Sequence, residues 1–200
     1  MKLAENEIKS LFSTIELSCE KIPKSNFKTP DFKVYKENRQ VALCEVKAVE
    51  YCSFLNQANK NNSQAFIFGG KDSTFNRLSD DMKKAAKQFK SYDPNHQFPR
   101  ILTFVNYETS CDIEDFESTY TGNFYATDGS IHPIYKKISE GRISDLKKEI
   151  DVYIWLNRPS ELIVTTRKID RTPYVRWVTP RKELPELSNR LSLLHQKSSM

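Results

Sequence analysis

The spacing of apolar residues predicts two amphipathic helices in the first half of the chain. Over residues 3–22 the apolar positions recur every three or four residues, the period of one helix face; they are Ile8, Leu11, Phe12, Ile15, Cys19 and Ile22. Pro23 ends this helix. A second stripe of the same period predicts a helix over residues 77–92; its members are Leu78, Met82, Ala85 and Phe89.

Runs of apolar and β-branched residues predict the strands. Residues 31–35 and 41–49 form two strands joined by the polar loop 36–39, and residues 100–107 form a third. Further along, the pattern predicts a hairpin over 123–135, strands at 151–156, 161–167 and 174–179, and short helices near 112–120, 142–150 and 186–195. Residues 50–76, which are rich in Asn, Gln and Ser, are interpreted as a loop with one short strand.

The order of these elements predicts the fold class. A helix, two strands, a helix and a strand followed by a mixed extension are typical of an α/β or α+β layered domain with a central mixed sheet. A chain of 200 residues suffices for one domain with an elaboration. We therefore place the core in residues 1–107 and an extension of the same domain in residues 108–200.

Composition and the absence of certain motifs exclude several classes of protein. Hydrophobic residues make up 38% and charged residues 28%, as in ordinary soluble proteins. There is no apolar run of membrane-spanning length and no signal-peptide pattern, so we expect a cytoplasmic protein without a membrane partner. The absence of GxGxxG and P-loop motifs excludes dinucleotide and P-loop chemistry. The four cysteines lack zinc or iron–sulfur spacing and are expected to be free thiols.

Positive charge is concentrated in residues 158–182, which hold seven basic residues and two acidic ones. Tyr174 and Trp177 are interleaved with these basic residues, a mixture that suits phosphate contacts and base stacking. The predicted nucleic-acid-binding residues are Arg158, Arg167, Lys168, Arg171, Tyr174, Arg176 and Trp177. The alternative is an exposed pair of strands whose arginines only keep the surface soluble.

The strand over residues 41–49 carries two charged residues where burial is expected. Side chains alternate between the faces of a strand, and both faces here are apolar except for Glu45 and Lys47, which share one face. A strand that is apolar on both faces lies at the centre of a covered sheet. Because burying charges costs free energy, this pair indicates a functional role. The alternative is an exposed ion pair on an edge strand.

Asp31 begins the preceding strand, directly after Pro30. Pairing through the loop places it opposite Cys44 or Glu45, and a slip of one residue would change its face. In the favourable register Asp31, Glu45 and Lys47 converge, and neighbouring carboxylates favour a cation between them. Mg²⁺ (or Mn²⁺) prefers such oxygen ligands. Lys47 would position a metal-activated water, which predicts phosphodiester hydrolysis; alternatively, Asp31 is only a turn residue.

The segments TPDF at 29–32 and CEVK at 44–47 resemble the PD-(D/E)xK nuclease superfamily, which has the restriction-endonuclease-like fold. The resemblance covers about residues 7–107. It implies a core with the order helix, three-stranded meander, helix and strand, and cleavage products with a 5′-phosphate and a 3′-hydroxyl. The pattern [DE]xK alone occurs five times in this chain, so the informative feature is its position in an apolar strand after Pro-Asp.

The resemblance also implies a metal-binding acid on the first helix and a backbone ligand. Glu7 lies about 25 residues before Asp31, the spacing of the superfamily's helix acid. Glu5 is close to this spacing, and Glu16 fits it less well. The backbone carbonyl of Val46 is implied as a further metal ligand.

Gln88 and Tyr92 form a QxxxY motif that resembles the RecB-like branch of the superfamily. Gln88 flanks the apolar stripe of the second helix beside Tyr92, so it could reach the sheet. The resemblance implies that Gln88 orients the phosphate or supports Lys47. The alternative is a polar residue at the edge of the helix and a partly buried tyrosine.

These features predict a divalent-metal-dependent nuclease that acts on DNA, as an endonuclease rather than an exonuclease. The expected catalytic residues are Asp31, Glu45, Lys47 and Gln88, and the expected metal ligands are Glu7, Asp31, Glu45 and Val46. Two alternatives stay open. One is a catalytically silent module of the same fold that binds nucleic acid or a protein, and the other is an interaction protein with no nucleic-acid role. A two-site cut of duplex DNA would favour a homodimer.

Overall fold

The computed structural model describes residues 2–24, 28–50, 74–108, 111–126, 128–133, 144–158 and 171–196. The helices are α1 (Lys2–Ser13), α2 (Thr74–Tyr92), α3 (Ile113–Thr121), α4 (Pro185–Leu191) and α5 (Leu193–Gln196). The strands are β1 (Ser18–Lys21), β2 (Phe32–Lys36), β3 (Arg39–Val49), β4 (Arg100–Asn106), β5 (Asn123–Tyr125), β6 (Ile131–Pro133), β7 (Val152–Asn157) and β8 (Tyr174–Trp177). Two 3₁₀ helices span Ser144–Glu149 and Arg181–Glu183.

A mixed sheet in the order β1-β2-β3-β4-β7-β8 forms the centre of the described fold. β1, β2 and β3 form an antiparallel meander. β3, β4 and β7 pair in parallel, and β8 returns antiparallel to β7. A parallel pair needs a crossover connection, and α2 lies in the connection between β3 and β4. The expected mixed α/β class is therefore confirmed.

Helices cover both faces of this sheet. α1, α4 and α5 pack on one face through buried side chains that include Ile8, Phe12, Leu187, Leu191 and Leu194. α2 and α3 pack on the other face through Leu78, Met82, Phe89 and Phe116. Every residue of β4 is buried as a result. β7 and β8 therefore share the six-stranded sheet with the first half of the chain, while β5 and β6 pair in a separate two-stranded sheet.

The first helix is shorter than its apolar pattern predicts. The prediction of a helix over 3–22 is wrong beyond Ser13, because the chain reverses and residues 18–21 form β1. Leu17 N–H donates to Phe12 C=O at 3.0 Å, Glu16 N–H donates to Ser13 C=O at 3.2 Å, and Glu16 has a φ of 58°. This is a Schellman motif with a non-glycine residue at the left-handed position. Glycine usually occupies that position, so the sequence around Glu16 carries no clear signal for the end of the helix.

The other predicted elements agree with the structure to different degrees. The helix over 77–92, the strand over 100–107, the helix near 112–120 and the hairpin over 123–135 are confirmed. The helix predicted over 142–150 is a 3₁₀ helix in its described part. Within the predicted loop over 50–76, residues 51–73 lie outside the described residues and residues 74–76 begin α2. The strand predicted at 161–167 also lies outside the described residues.

No helix in the described ranges combines the length and apolar character that a membrane-spanning segment needs.

We expect Glu16→Gly to be more stable than Glu16→Ala by about 1 kcal/mol, because only glycine adopts a positive φ without strain. Both variants remove the ion pair between Glu16 and Arg190, so the comparison isolates the backbone effect. Urea denaturation of the two proteins measures the difference in the free energy of unfolding. If α1 continued through residue 16, alanine would be the more stable variant, by a similar amount.

Candidate active site

The β2–β3 hairpin places Asp31 beside Glu45. A two-residue turn, Glu37-Asn38, replaces the predicted four-residue loop, and its φ angles of 49° and 68° match the twist of a tight hairpin. A β-bulge between Val34 and Tyr35 then shifts the register by one residue. Phe32 consequently pairs with Cys44, and the preceding residue, Asp31, falls next to Glu45. The bulge therefore decides between the two registers left open by the sequence.

Both carboxylate oxygens of Asp31 have partners. Oδ2 accepts a hydrogen bond from Val46 N–H at 2.9 Å, which ties the start of β2 to the middle of β3. Oδ1 accepts from Lys21 Nζ at 2.8 Å. Lys21 lies on β1, and its Nζ is also 2.8 Å from Glu5 Oε1 on α1. One ammonium therefore bridges two carboxylates from different elements.

Lys21 is held in place by several contacts. Its ammonium lies 4.8 Å from the centre of the Phe32 ring, within the range of a cation–π contact. Burial acts to lower the pKa of Lys21, but the hydrogen bonds to Asp31 and Glu5 outweigh it and the pKa is raised. Lys21 is therefore a permanent positive charge in this part of the molecule at neutral pH.

Glu45, Lys47 and Gln88 form a second connected group on the face of the sheet covered by α2. Lys47 Nζ is 2.6 Å from Glu45 Oε1 and 3.2 Å from Gln88 Oε1. Gln88 Nε2 donates to the carbonyl of Thr29 at 2.9 Å, directly before the Pro30-Asp31 step. Gln88 therefore links α2 to both strands that carry the acidic residues.

The Glu45 carboxylate is buried with one oxygen unpaired. The residue is 2% exposed, and Oε2 has no hydrogen-bond partner within the described residues. Burial raises the pKa of Glu45 to about 7; the charge of Lys47 opposes this, and the charge of Asp31 adds to it. An unpaired buried carboxylate oxygen is costly and favours a cation as its partner.

These groups line a cleft of about 490 Å³ that opens between β1, β2, β3 and α2. Its charged lining consists of Lys21, Lys24, Asp31, Glu45, Lys47 and Asp81. Asp81 stands two helical turns before Gln88 on α2, and a spacing of seven residues places both on one face. Asp81 lies well inside α2 and lines the cleft.

The donor set of this cleft fits a hard divalent cation. Across the described ranges no group of three or more His, Cys, Asp or Glu residues is placed to hold a metal ion. Two carboxylates, Asp31 and Glu45, nevertheless lie side by side, and one of their oxygens is buried without a partner. Carboxylate oxygens are the ligands that Mg²⁺ and Mn²⁺ prefer.

Glu7, the helix acid expected to bind metal, lies elsewhere. Its Oε2 is 3.1 Å from Arg158 Nε, beyond the end of β7. Residues two apart on a helix point in directions about 200° apart, because each residue turns the helix by about 100°. Glu5 therefore approaches Asp31 through Lys21, while Glu7 faces the C-terminal extension. Glu16 lies beyond α1 and pairs with Arg190.

The predicted nucleic-acid-binding residues that the structure describes lie on different faces of the molecule. Tyr174 and Arg176 both contact Glu117 of α3, and Arg176 also stacks on Tyr120 with 4.0 Å between its guanidinium and the ring centre. Trp177 packs on the opposite face of the sheet, beneath Arg181. Arg171 is exposed. Arg167 and Lys168 lie outside the described residues.

The described cysteines are free but are not nucleophiles. Burial raises the pKa of Cys19 to about 12 and raises the pKa values of Cys44 and Cys111 as well. Thiols with such pKa values stay neutral near pH 7, and the thiolate is the reactive form.

Sequence reasoning missed Lys21, because it placed this residue in a helix. Lys21 reaches Asp31 only because α1 ends early and β1 pairs with β2, where Lys21 is opposite Phe32. An alternation of side chains along residues 18–21 would have indicated a strand. A run of four residues is too short to outweigh the helical spacing of apolar residues predicted over 3–22.

Comparison with models of known protein families, with curated proteins and with solved structures finds no match to this chain.

We expect the Glu45 carboxyl to titrate near pH 7 in the metal-free protein. Since the folded state binds this proton more tightly than the unfolded state, wild-type stability should fall relative to Glu45→Gln as pH rises from 4.5 to about 7. The total difference should be roughly 3 kcal/mol, constant above that range. Urea denaturation at several pH values in EDTA measures it, and carbon-13 NMR of the carboxyl gives the pKa directly. Parallel pH profiles for the two proteins would contradict the expectation.

Proposed function

We propose that this protein is a divalent-metal-dependent nuclease that hydrolyses phosphodiester bonds in DNA. The observation that carries the proposal is the convergence of Asp31, Glu45, Lys47 and Gln88 in one cleft, with a buried carboxylate oxygen of Glu45 unpaired. Two adjacent acids, an ammonium and an amide are the groups that metal-assisted phosphodiester hydrolysis needs. They come from β2, β3 and α2, so their meeting is a property of the folded chain.

Asp31 and Glu45 would hold Mg²⁺ or Mn²⁺, and the resemblance adds the carbonyl of Val46. When bound, such an ion supplies Lewis-acid polarisation of a phosphate and lowers the pKa of a coordinated water. Glu7 is not proposed as a ligand, because it pairs with Arg158 outside the cleft. The hydrogen bond from Val46 N–H to Asp31 keeps the two acids in a constant relation to each other.

Lys47 would orient the attacking water and the phosphate. Its ammonium has three N–H donors, and two are used by Glu45 and Gln88 at 2.6 and 3.2 Å. Gln88 is itself held by the carbonyl of Thr29, so it restricts the position of the Lys47 ammonium. Gln88 acts in this proposal as a positioning residue for Lys47.

The order of elements supports the same proposal. The chain begins with a helix, a three-stranded antiparallel meander, a helix and a parallel strand, as the resemblance to PD-(D/E)xK nucleases implies. β1 was not predicted from the sequence, and it is the strand that completes the three-stranded meander. The TPDF segment ends at the first residue of β2, and the CEVK segment lies on β3. All of their residues except Phe32 and Cys44, which are in the core, line the cleft.

A catalytically silent binding module is the second candidate. The observation that favours it is the pairing of the cleft's acids with lysines, since Asp31 contacts Lys21 and Glu45 contacts Lys47. A cleft that is already neutralised could serve to bind phosphate through the lysines rather than to hold a metal.

We expect the purified protein to cut plasmid DNA with Mg²⁺ or Mn²⁺ but not with EDTA. Lys47→Met should lower the cleavage rate by at least about a hundredfold, a usual contribution for a group that assists proton transfer. Lys87→Met is the matched control, because Lys87 is exposed on α2 beside Gln88 and its loss removes the same charge. The measurement is the initial rate on supercoiled, linear and single-stranded DNA and on RNA.

Three results separate the candidates. Cleavage retained by Lys87→Met and lost by Lys47→Met supports the nuclease and names its substrate. Equal rates in all three proteins would refute the role of Lys47. No cleavage by the wild type, together with salt-sensitive binding of DNA, would instead support the silent module.

A further inference from the structure

The bridge formed by Lys21 is the feature of the cleft that the proposed reaction does not use. Its Nζ is 2.8 Å from Glu5 Oε1 and 2.8 Å from Asp31 Oδ1. The Glu5 and Asp31 side chains are 14% and 16% exposed, while Lys21 keeps 35% of its surface exposed. The two acids are thus largely withdrawn from water, while the lysine side chain that joins them is partly exposed and lines the cleft.

The position of Lys21 conflicts with metal binding at the same acid. An ammonium and a divalent cation repel each other strongly at short range in a partly buried site. Asp31 Oδ2 accepts a hydrogen bond from the backbone N–H of Val46, which is fixed in β3. Asp31 Oδ1 accepts from the flexible side chain of Lys21, so Oδ1 is the less constrained of the two carboxylate oxygens. A metal ion that binds Asp31 must therefore share this carboxylate with Lys21 or displace it.

Displacement is physically accessible. Lysine has a flexible four-carbon stem and a compact charge, unlike the rigid guanidinium of arginine. The backbone of Lys21 is fixed where β1 pairs with β2, whereas the contacts of its side chain with Glu5, Asp31 and the Phe32 ring are made at the ammonium, and 35% of the side chain is exposed. Rotation of the stem would carry the ammonium into water without moving the strand.

We propose that Lys21 is a tethered cation that competes with the divalent metal for Asp31, and so sets the metal concentration at which the cleft fills. This inference rests on the metal site of the proposed function. With metal scarce, Lys21 neutralises both acids and holds β1, β2 and α1 together. With metal abundant, the ion replaces the ammonium at Asp31.

The test is the affinity of the intact protein for Mn²⁺ and Mg²⁺. Isothermal titration calorimetry, with electron paramagnetic resonance of free Mn²⁺ as a second readout, would be applied to the wild type, Lys21→Gln and Lys24→Gln. Lys24 is the matched control, because it is an exposed lysine that lines the same cleft. Removing Lys21 should tighten metal binding by about tenfold, and removing Lys24 by less than about twofold, because only Lys21 contacts the acids.

Measuring melting temperatures keeps the test valid if Lys21→Gln is less stable than the wild type. Without metal, this variant leaves Glu5 and Asp31 close together and uncompensated, so its melting temperature should fall. Saturating Mg²⁺ should then raise its melting temperature more than it raises that of the wild type. Lys21→Arg, which retains the charge, should bind metal as weakly as the wild type.

The outcomes distinguish this inference from the proposed function. Equal affinities for Lys21→Gln and Lys24→Gln, or weaker binding by Lys21→Gln, would overturn the competition even if the protein cuts DNA. Tighter binding by Lys21→Gln that Glu45→Gln abolishes would support the competition even if no protein cuts DNA. An absence of metal binding in the wild type and in Lys21→Gln alike would overturn the competition.

Discussion

The burial of β3 on both faces is the constraint on which the rest of the site depends. β3 pairs with β2 on one side and with β4 on the other, and α1 and α2 cover its two faces. A carboxylate in such a strand loses most of its hydration, so neighbouring groups must stabilise its charge. Lys47 does so for one oxygen of Glu45, and the other oxygen has no hydrogen-bond partner among the residues that the structure describes. The raised pKa of Glu45 and the suitability of the cleft for a cation are two consequences of the same burial.

A second acid, Asp31, lies beside Glu45 and adds to the electrostatic cost of burying the Glu45 charge. The bulge in β2 brings Asp31 to Glu45, and the Val46 N–H holds it there. Each acid has its own lysine, Lys21 for Asp31 and Lys47 for Glu45. Buried ion pairs rarely stabilise a fold more than apolar packing would. A cluster of two acids and two lysines at one cleft is therefore better explained by chemistry than by stability.

Some basic residues of the C-terminal extension form ion pairs that stabilise the fold. Arg158 pairs with Glu7 on α1, and Arg176 pairs with Glu117 on α3 while stacking on Tyr120. Such partly buried pairs connect elements that are far apart in sequence. Two residues that the charge pattern predicted to contact nucleic acid are thus engaged within the protein. Charge density along a sequence indicates a binding surface only when the folded chain leaves those charges unpaired.

The sequence by itself determined the type of most elements, the central position of β3 and the placement of Glu45 and Lys47 on one face, because these follow from local periodicity. It also placed Gln88 beside the apolar stripe of its helix, within reach of the sheet. The end of α1, the existence of β1 and the β2 bulge were decided only by tertiary structure. A left-handed Glu16 and a one-residue bulge have no strong local signal, yet each redirects the side chains that follow. Lys21 lines the cleft and pairs with Glu5, whereas Glu7 pairs with Arg158 outside it, because strand pairing and helix orientation act over distances that periodicity does not encode.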